Sequence, residues 1–271
     1  MIKQAIIPLA GLGTRLLPLT SVLPKELLPI NGKPGLEYIL DECIEAGIKE
    51  FIFIISYKKK MIKEYFYNDV FFRQMLKKRK KDKQLQLQYL KIRKLKKMIK
   101  FVYQNSPRGT GDAVLRCKRL IKSKHFLLLL PDDLILKPNC SSAMLKLHQR
   151  YNSSVIASKK VKAHEVSRWG IFKLKKFSKN NFLIKDVVEK PKTNLAPSNY
   201  AVIGRYILPT KIFDILKKQK PGQNGEIHIT DAIRKLIEKR EKFIGHIFAG
   251  KYLDCGTMKG YINSSIEISK I

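Results

Sequence analysis

The stretch AGLGTRLLPLTSVLPKELLP, Ala10 to Pro29, follows an apolar run, Ala5-Ile6-Ile7-Pro8-Leu9. Lys3 to Leu9 reads as a first strand, so the glycines stand where a buried strand hands the chain over to a turn. Gly11 and Gly13 lack a Cβ, which lets the backbone turn tightly and aim its N–H groups at an anion. Thr14 adds a hydroxyl, and Arg15 adds a planar, permanently charged donor set suited to phosphate. Lys25 follows in a segment stiffened by Pro24 and Pro29. The ensemble reads as a rim that holds a triphosphate. It is neither the Gly-x-x-x-x-Gly-Lys-Ser/Thr loop nor Gly-x-Gly-x-x-Gly, because the third glycine is missing. A glycine turn with surface cations would explain Gly-Leu-Gly alone. Arg15, Lys25 and the position after a strand favour phosphate.

Outward from this stretch, strand and helix patterns alternate, which argues for an α/β fold. Pro34 to Ala46 places Leu36, Ile39, Leu40, Cys43 and Ile44 on one helical face, with Gly47 to end it. Phe51 to Ile55 and Phe126 to Leu130 are continuous apolar runs, as expected of strands buried on both faces. Lys58 to Lys100 is dense in Lys, Arg, Gln and Leu, without Gly or Pro, and reads as helices projecting from the sheet. Phe101 to Gln104 returns to strand and Thr110 to Ile121 to helix; Met144 to Arg150 is helical and Val155 to Ser158 a strand. From about Gly170 the pattern turns antiparallel. Gly170 to Leu174 pairs with Phe182 to Val188 as a hairpin, and Tyr200 to Leu208 is a further strand. Helices at Lys211 to Lys218 and Asp231 to Lys239, a strand at Phe243 to Phe248 and a helix at Gly260 to Ser269 complete the chain.

Composition narrows the function. The chain holds 55 Lys and Arg against 22 Asp and Glu, a net charge of +33, which would attract any polyanion. Lysines crowd 58–100 but also occur throughout, and no aromatic-rich RNA-binding signature accompanies them, so no specific nucleic-acid partner is expected. No apolar run is long enough to span a bilayer, and Met1-Ile2-Lys3-Gln4 leads straight into a strand without a signal-peptide pattern. The chain is therefore read as cytoplasmic, with no membrane partner. Cys43, Cys117, Cys140 and Cys255 form no Cys-x-x-Cys pair, and the five histidines show no zinc spacing. No Ser-His-Asp or Cys-His signature points to a protein nucleophile.

The motifs resemble the sugar-nucleotide pyrophosphorylases. Ala10-Gly-Leu-Gly-Thr-Arg15, Pro18, Pro24-Lys-Glu26 and Leu28-Pro29 carry the likeness first. Gln104, Pro107-Arg-Gly-Thr-Gly-Asp-Ala113, Leu130-Pro-Asp-Asp133, Trp169-Gly-Ile171, Val188-Glu-Lys-Pro191 and Ala196-Pro-Ser-Asn199 continue it. Gly204-Arg-Tyr206, Gly225-Glu-Ile227, Thr230-Asp-Ala-Ile233, Asp254-Cys-Gly-Thr257 and Gly260-Tyr261 follow in order. The Pro-Lys-Glu version most resembles the bacterial UTP–glucose-1-phosphate uridylyltransferases. Two departures stand out: many members carry Gly-Leu-Gly-His-Ala where this chain has Gly109-Thr-Gly-Asp-Ala113, and Trp169 stands where tyrosine is frequent.

The resemblance implies one Rossmann-like nucleotidyltransferase domain over residues 1–271, with a mixed, mostly parallel sheet flanked by helices. Within it lie the basic excursion at about 58–100 and a sugar-binding portion at about 155–260. It implies UTP and glucose 1-phosphate as substrates, with dTTP or another sugar phosphate as the alternative, Mg²⁺ as cofactor, and a homodimer or homotetramer. Arg15, Lys25, Asp132 and Lys190 would be catalytic. Ala10, Gly11, Gly13, Thr14, Arg15, Gln104 and Gly109 would hold the nucleotide, Gln104 and Gly109 reading uracil. Gly170, Glu189, Lys190 and Glu226 would hold the sugar phosphate, and Asp132 and Asp254 the metal. Read from chemistry alone, Asp132 and Asp133 cannot be ranked, and Glu226 serves equally well as a favourable charge at the next helix start.

Overall fold

The computed structural model describes residues 1–222 and 225–270. Its first strand is β1, Gln4–Pro8. After a hairpin of β2, Pro29–Ile30, and β3, Lys33–Pro34, comes helix α1, Gly35–Glu45. Strand β4, Glu50–Ile55, leads into α2, Lys60–Tyr67, α3, Val70–Lys78, and α4, Lys83–Met98. The chain returns in β5, Ile99–Tyr103, then α5, Thr110–Leu115, β6, His125–Leu129, β7, Asp133–Ile135, and α6, Cys140–Tyr151. Strands β8, Ser154–Lys160, β9, Gly170–Lys176, β10, Asn181–Glu189, and β11, Tyr200–Pro209, follow. Helices α7, Ile212–Lys218, and α8, Ile229–Glu238, precede β12, Phe243–Ile247, β13, Tyr252–Asp254, and α9, Met258–Ser269.

Nine strands form one sheet in the order β5-β4-β1-β6-β11-β8-β12-β10-β9. The first four are parallel, β8 pairs β12 in parallel, and the remaining neighbours are antiparallel. Only β10 and β11 run against the others, so the sheet is mixed yet mostly unidirectional, as expected. The pleat explains the apolar runs. Phe51, Phe53 and Ile55 of β4 enter the core on one face, and Ile52 and Ile54 enter the core on the other. Helices cover both faces, so every residue of such a strand gains from being apolar.

The excursion folds as three helices. Lys91 of α4 reaches back to Glu37 of α1 at 2.6 Å and to Asp41, and Tyr65 of α2 donates to Glu37. Residues 58–100 hold 17 Lys and Arg against three Asp and Glu, so this excursion carries 14 of the 33 net charges. The expected helix over Thr110–Ile121 is shorter: α5 stops at Leu115 and a single turn, Lys118–Leu120, follows. The short antiparallel pair β7–β13 was not visible in the sequence pattern; it sets Asp254 opposite Asp133. Among the described residues, no helix is long and apolar enough to cross a membrane. Cys43, Cys117 and Cys140 are buried thiols, pushed up by burial.

Candidate active site

Ligand clefts of open α/β sheets lie at the carboxyl ends of their strands. Beyond the carboxyl ends of β1 and β6, a cavity of about 450 Å³ is lined by Ala10, Gly11, Gly13, Thr14, Lys25, Gln104, Gly109, Asp132 and Glu226. Residues far apart along the chain thus meet where the glycine stretch leaves β1. Gly109 has φ +92°, and a Cβ there would stand 2.6 Å from the Ile227 carbonyl oxygen, so no other residue fits this wall.

Lys25 carries the cavity's electrostatics. Its Nζ donates to Asp132 Oδ2 at 2.9 Å, and Arg15 Nη2 approaches the same oxygen at 3.5 Å. Burial works against the Lys25 charge, but Asp132 and Glu26 outweigh it and hold the ammonium above its ordinary range. Burial likewise opposes the Asp132 carboxylate, yet Lys25 and Arg15 keep it below the usual range. Each partner therefore favours the charged form of the other, and a cation–anion pair lines the pocket.

The two adjacent acids differ in commitment. Asp133 Oδ1 accepts from Tyr252 at 2.5 Å and Oδ2 from the Gly204 N–H at 2.9 Å. Burial and the neighbouring Asp132 charge push its carboxyl up, to about 6. Asp133 thus supports the fold, and Asp132 is the acid that faces the cavity.

Asp254 lies beside Asp132. A Cβ placed on Gly256 would be 3.0 Å from Asp132 Oδ2, 3.1 Å from Asp254 Oδ1 and 2.8 Å from Arg15 Nη2. The two carboxylates therefore flank one small space that only a glycine leaves open. A hard divalent cation that takes one or two carboxylates, plus phosphate oxygens and water, fits this donor set. Among the described residues no group of three His, Cys, Asp or Glu gathers to cage a metal. The remaining ligands would come from substrate or water. Arg168 Nη2 pairs with Asp254 Oδ2 at 3.5 Å.

Gly170, Glu189 and Lys190 sit outside the cavity lining. Glu189 ends β10 directly opposite Gly170 of β9. Thr230 Oγ1 donates to Glu189 Oε2 at 2.8 Å, and a Cβ on Gly170 would touch both residues at 3.2 Å. Lys190 lies 3.9 Å from Glu189 Oε1 and is a non-glycine residue at φ 44°, a strained conformation of the kind that gathers at functional sites. Glu226 lines the cavity from the segment that leads to Thr230.

Four residues were missed in the sequence. Lys59 Nζ donates to both oxygens of buried Glu26 at 2.8 Å, which fixes the neighbour of Lys25. Asp112 accepts from Gln104 Nε2 at 2.7 Å. Thr230 and Arg168 hold Glu189 and Asp254. Lys59 and Arg168 have no local signal, whereas Thr230 opens one of the family-like motifs and Asp112 is one of the departures from the family pattern.

The chain belongs to the nucleotidyl transferase family, whose model matches residues 4–270. Among its relatives, the UTP–glucose-1-phosphate uridylyltransferase of Pseudomonas aeruginosa is 36% identical over 98% of this chain and 95% of its own. The enzyme of that name from Bacillus subtilis is 35% identical over 99% of this chain and 91% of its own. Among solved structures, an apo UDP-glucose pyrophosphorylase superposes with a TM-score of 0.90 at 38% identity, covering 100% of this chain and 99% of its own. A UDP-glucose pyrophosphorylase complexed with UDP-glucose gives 0.87 at 38% identity, with the same coverage.

Proposed function

We propose that this chain joins UTP and glucose 1-phosphate to form UDP-glucose and pyrophosphate. A phosphate oxygen of glucose 1-phosphate bonds to the α-phosphorus of UTP, and the bond from that phosphorus to the β-phosphate oxygen breaks. The electron pair leaves with pyrophosphate. Such a transfer asks for positioning and charge neutralisation, not for a protein nucleophile. The observation that carries the reading is the cavity where Lys25, Asp132, Gln104, Gly109 and the glycine stretch converge. The full-length likeness to uridylyltransferases supports it.

In this reading Gly11, Gly13, Thr14 and Arg15 receive the triphosphate, and Lys25 balances charge at the α-phosphate. Ala10, Gln104 and Gly109 hold the uracil. Glu189 and Gly170 take the sugar, with Glu226 at its edge, and Lys190 meets the sugar phosphate. Asp132 and Asp254 would hold Mg²⁺, which supplies charge neutralisation to the phosphates when bound. Assembly as a homodimer or homotetramer and a cytoplasmic location belong to the same reading. The deciding experiment incubates the pure protein with each NTP, glucose 1-phosphate and Mg²⁺ and measures pyrophosphate. Release with UTP well above all others is expected; no release with UTP overturns the proposal.

A further inference from the structure

Gln104 is buried, 5% exposed, and reaches the cavity from just beyond the end of β5. A glutamine amide is two-faced: its NH₂ donates and its oxygen accepts. Uracil presents an N3–H donor beside a carbonyl acceptor. Cytosine presents the reverse, a bare N3 beside an amino group. A freely flipping amide would serve both bases.

Here the amide is not free to flip. Gln104 Nε2 donates to Asp112 Oδ2 at 2.7 Å and lies 3.3 Å from the Gly109 carbonyl oxygen. Both partners are acceptors, so a flipped amide would set its own oxygen against a carboxylate and a carbonyl. Asp112 is itself clamped by Arg116 Nε at 3.0 Å, one helical turn on in sequence, and Arg116 also donates to the Tyr103 carbonyl. The carboxylate is therefore held in place as a pure acceptor. This is the position at which the chain has Asp in Gly109-Thr-Gly-Asp-Ala113.

We propose that Asp112 is a specificity-determining, positioning residue: it locks the Gln104 amide with its oxygen as the acceptor for the base, and so selects the N3–H of uracil against cytosine. The inference rests on the uridylyl-transfer reading and deepens it. Cytosine would bring its N3 lone pair against Gln104 Oε1, and an unpaired buried acceptor of this kind costs discrimination more than contact area does.

The test measures kcat/KM for UTP and for CTP, at fixed glucose 1-phosphate and Mg²⁺, in the wild-type chain, Asp112→Asn and Asp112→Leu. Asparagine can turn either end toward Gln104, and leucine removes the acceptor altogether. The expected result is a UTP-to-CTP ratio that falls about tenfold or more in both variants. A general loss of folded protein lowers both values alike and leaves the ratio untouched, so the ratio separates base selection from structural damage. An unchanged ratio in both variants, with the wild type still preferring UTP, overturns the role of Asp112 alone. A wild type that turns over neither nucleotide overturns the parent reading and this inference with it.

Discussion

The proposed nucleotide side and the proposed sugar side of the site use the same ion-pair chemistry at different depths. Lys25 and Asp132 meet at 2.9 Å with side chains 15% and 22% exposed. Lys190 and Glu189 are 3.9 Å apart, with the lysine 51% exposed. A buried, hydrogen-bonded pair is held in place before any ligand arrives, whereas an exposed pair at that distance is weakly fixed. The nucleotide side is thus built in advance. The second pair keeps a carboxylate braced by Thr230 and an exposed ammonium, which in the proposed reading meets the sugar phosphate.

This contrast breaks most readily at Lys25. Lys25→Met should lower kcat by about 10³-fold or more, because in the proposed reading it removes the charge that balances the reacting phosphates. Asp132→Asn and Asp254→Asn should act in the same direction. Pyrophosphate release, with circular dichroism to confirm folding, reads all three. A folded Lys25→Met protein with wild-type kcat would end the claim that the nucleotide side is the preorganised one.

The next effect concerns stability. Lys59→Met strands Glu26, whose side chain is only 1% exposed, without its partner. Burial already pulls the Lys59 ammonium below its ordinary range, so the pair is held at some cost even when intact. Breaking such a pair typically costs about 3 kcal/mol or more. A lower urea midpoint at unchanged denaturant slope is expected. An unchanged midpoint would mean that Glu26, and through it Lys25, is positioned by other contacts.

What the sequence made legible follows the range of the interactions. The glycine turn, the apolar strands and the helix between Pro34 and Gly47 are decided by residues close along the chain and fold as read, whereas the helix expected over Thr110–Ile121 stops at Leu115. Asp132 at the end of β6 was visible for the same reason. Lys59 answers Glu26 across 33 positions and Thr230 answers Glu189 across 41, and no periodicity announces either. Arg205 is the extreme case: it is fully buried and donates to Glu42 across 163 positions, in a strand otherwise apolar on both faces. A charge so placed can be understood only once its partner is known. The choice between Asp132 and Asp133 was open for the same reason, since Tyr252 and Gly204 lie far along the chain.

The sugar side should respond more gently. Thr230→Val removes the hydroxyl that holds Glu189 and should raise the KM for glucose 1-phosphate roughly tenfold, in line with one lost hydrogen bond to a charged group. The KM for UTP and kcat should change little, and Thr230→Ser should restore the wild-type value. Equal rises in both KM values would show that the two sides are not separable.

The smallest effect lies on neither side. His125 begins β6, the strand whose other end leads to Asp132. Half-buried, it is pulled down to about 4 from 6.5, first by burial and then by His148, whose ring centroid is 4.6 Å away. Lys211 and Lys124 act in the same direction, and Glu241 opposes them. Because the folded value lies below the unfolded one, the unfolded chain binds more protons between them. Stability should therefore be fully present above about 6.5, fall as pH drops through this window, and level off below about 4. Solvent screening at a half-exposed ring keeps the loss to about 1 kcal/mol or less. Asp133, pushed up to about 6, titrates in the same window with the opposite sign, so the reading is a difference: toward acid the wild-type urea midpoint should fall relative to that of His125→Asn. A variant that keeps the wild-type slope would assign the acid sensitivity to other groups. Turnover near neutral pH should be the same in the variant and the wild type, since neither imidazole faces the cavity.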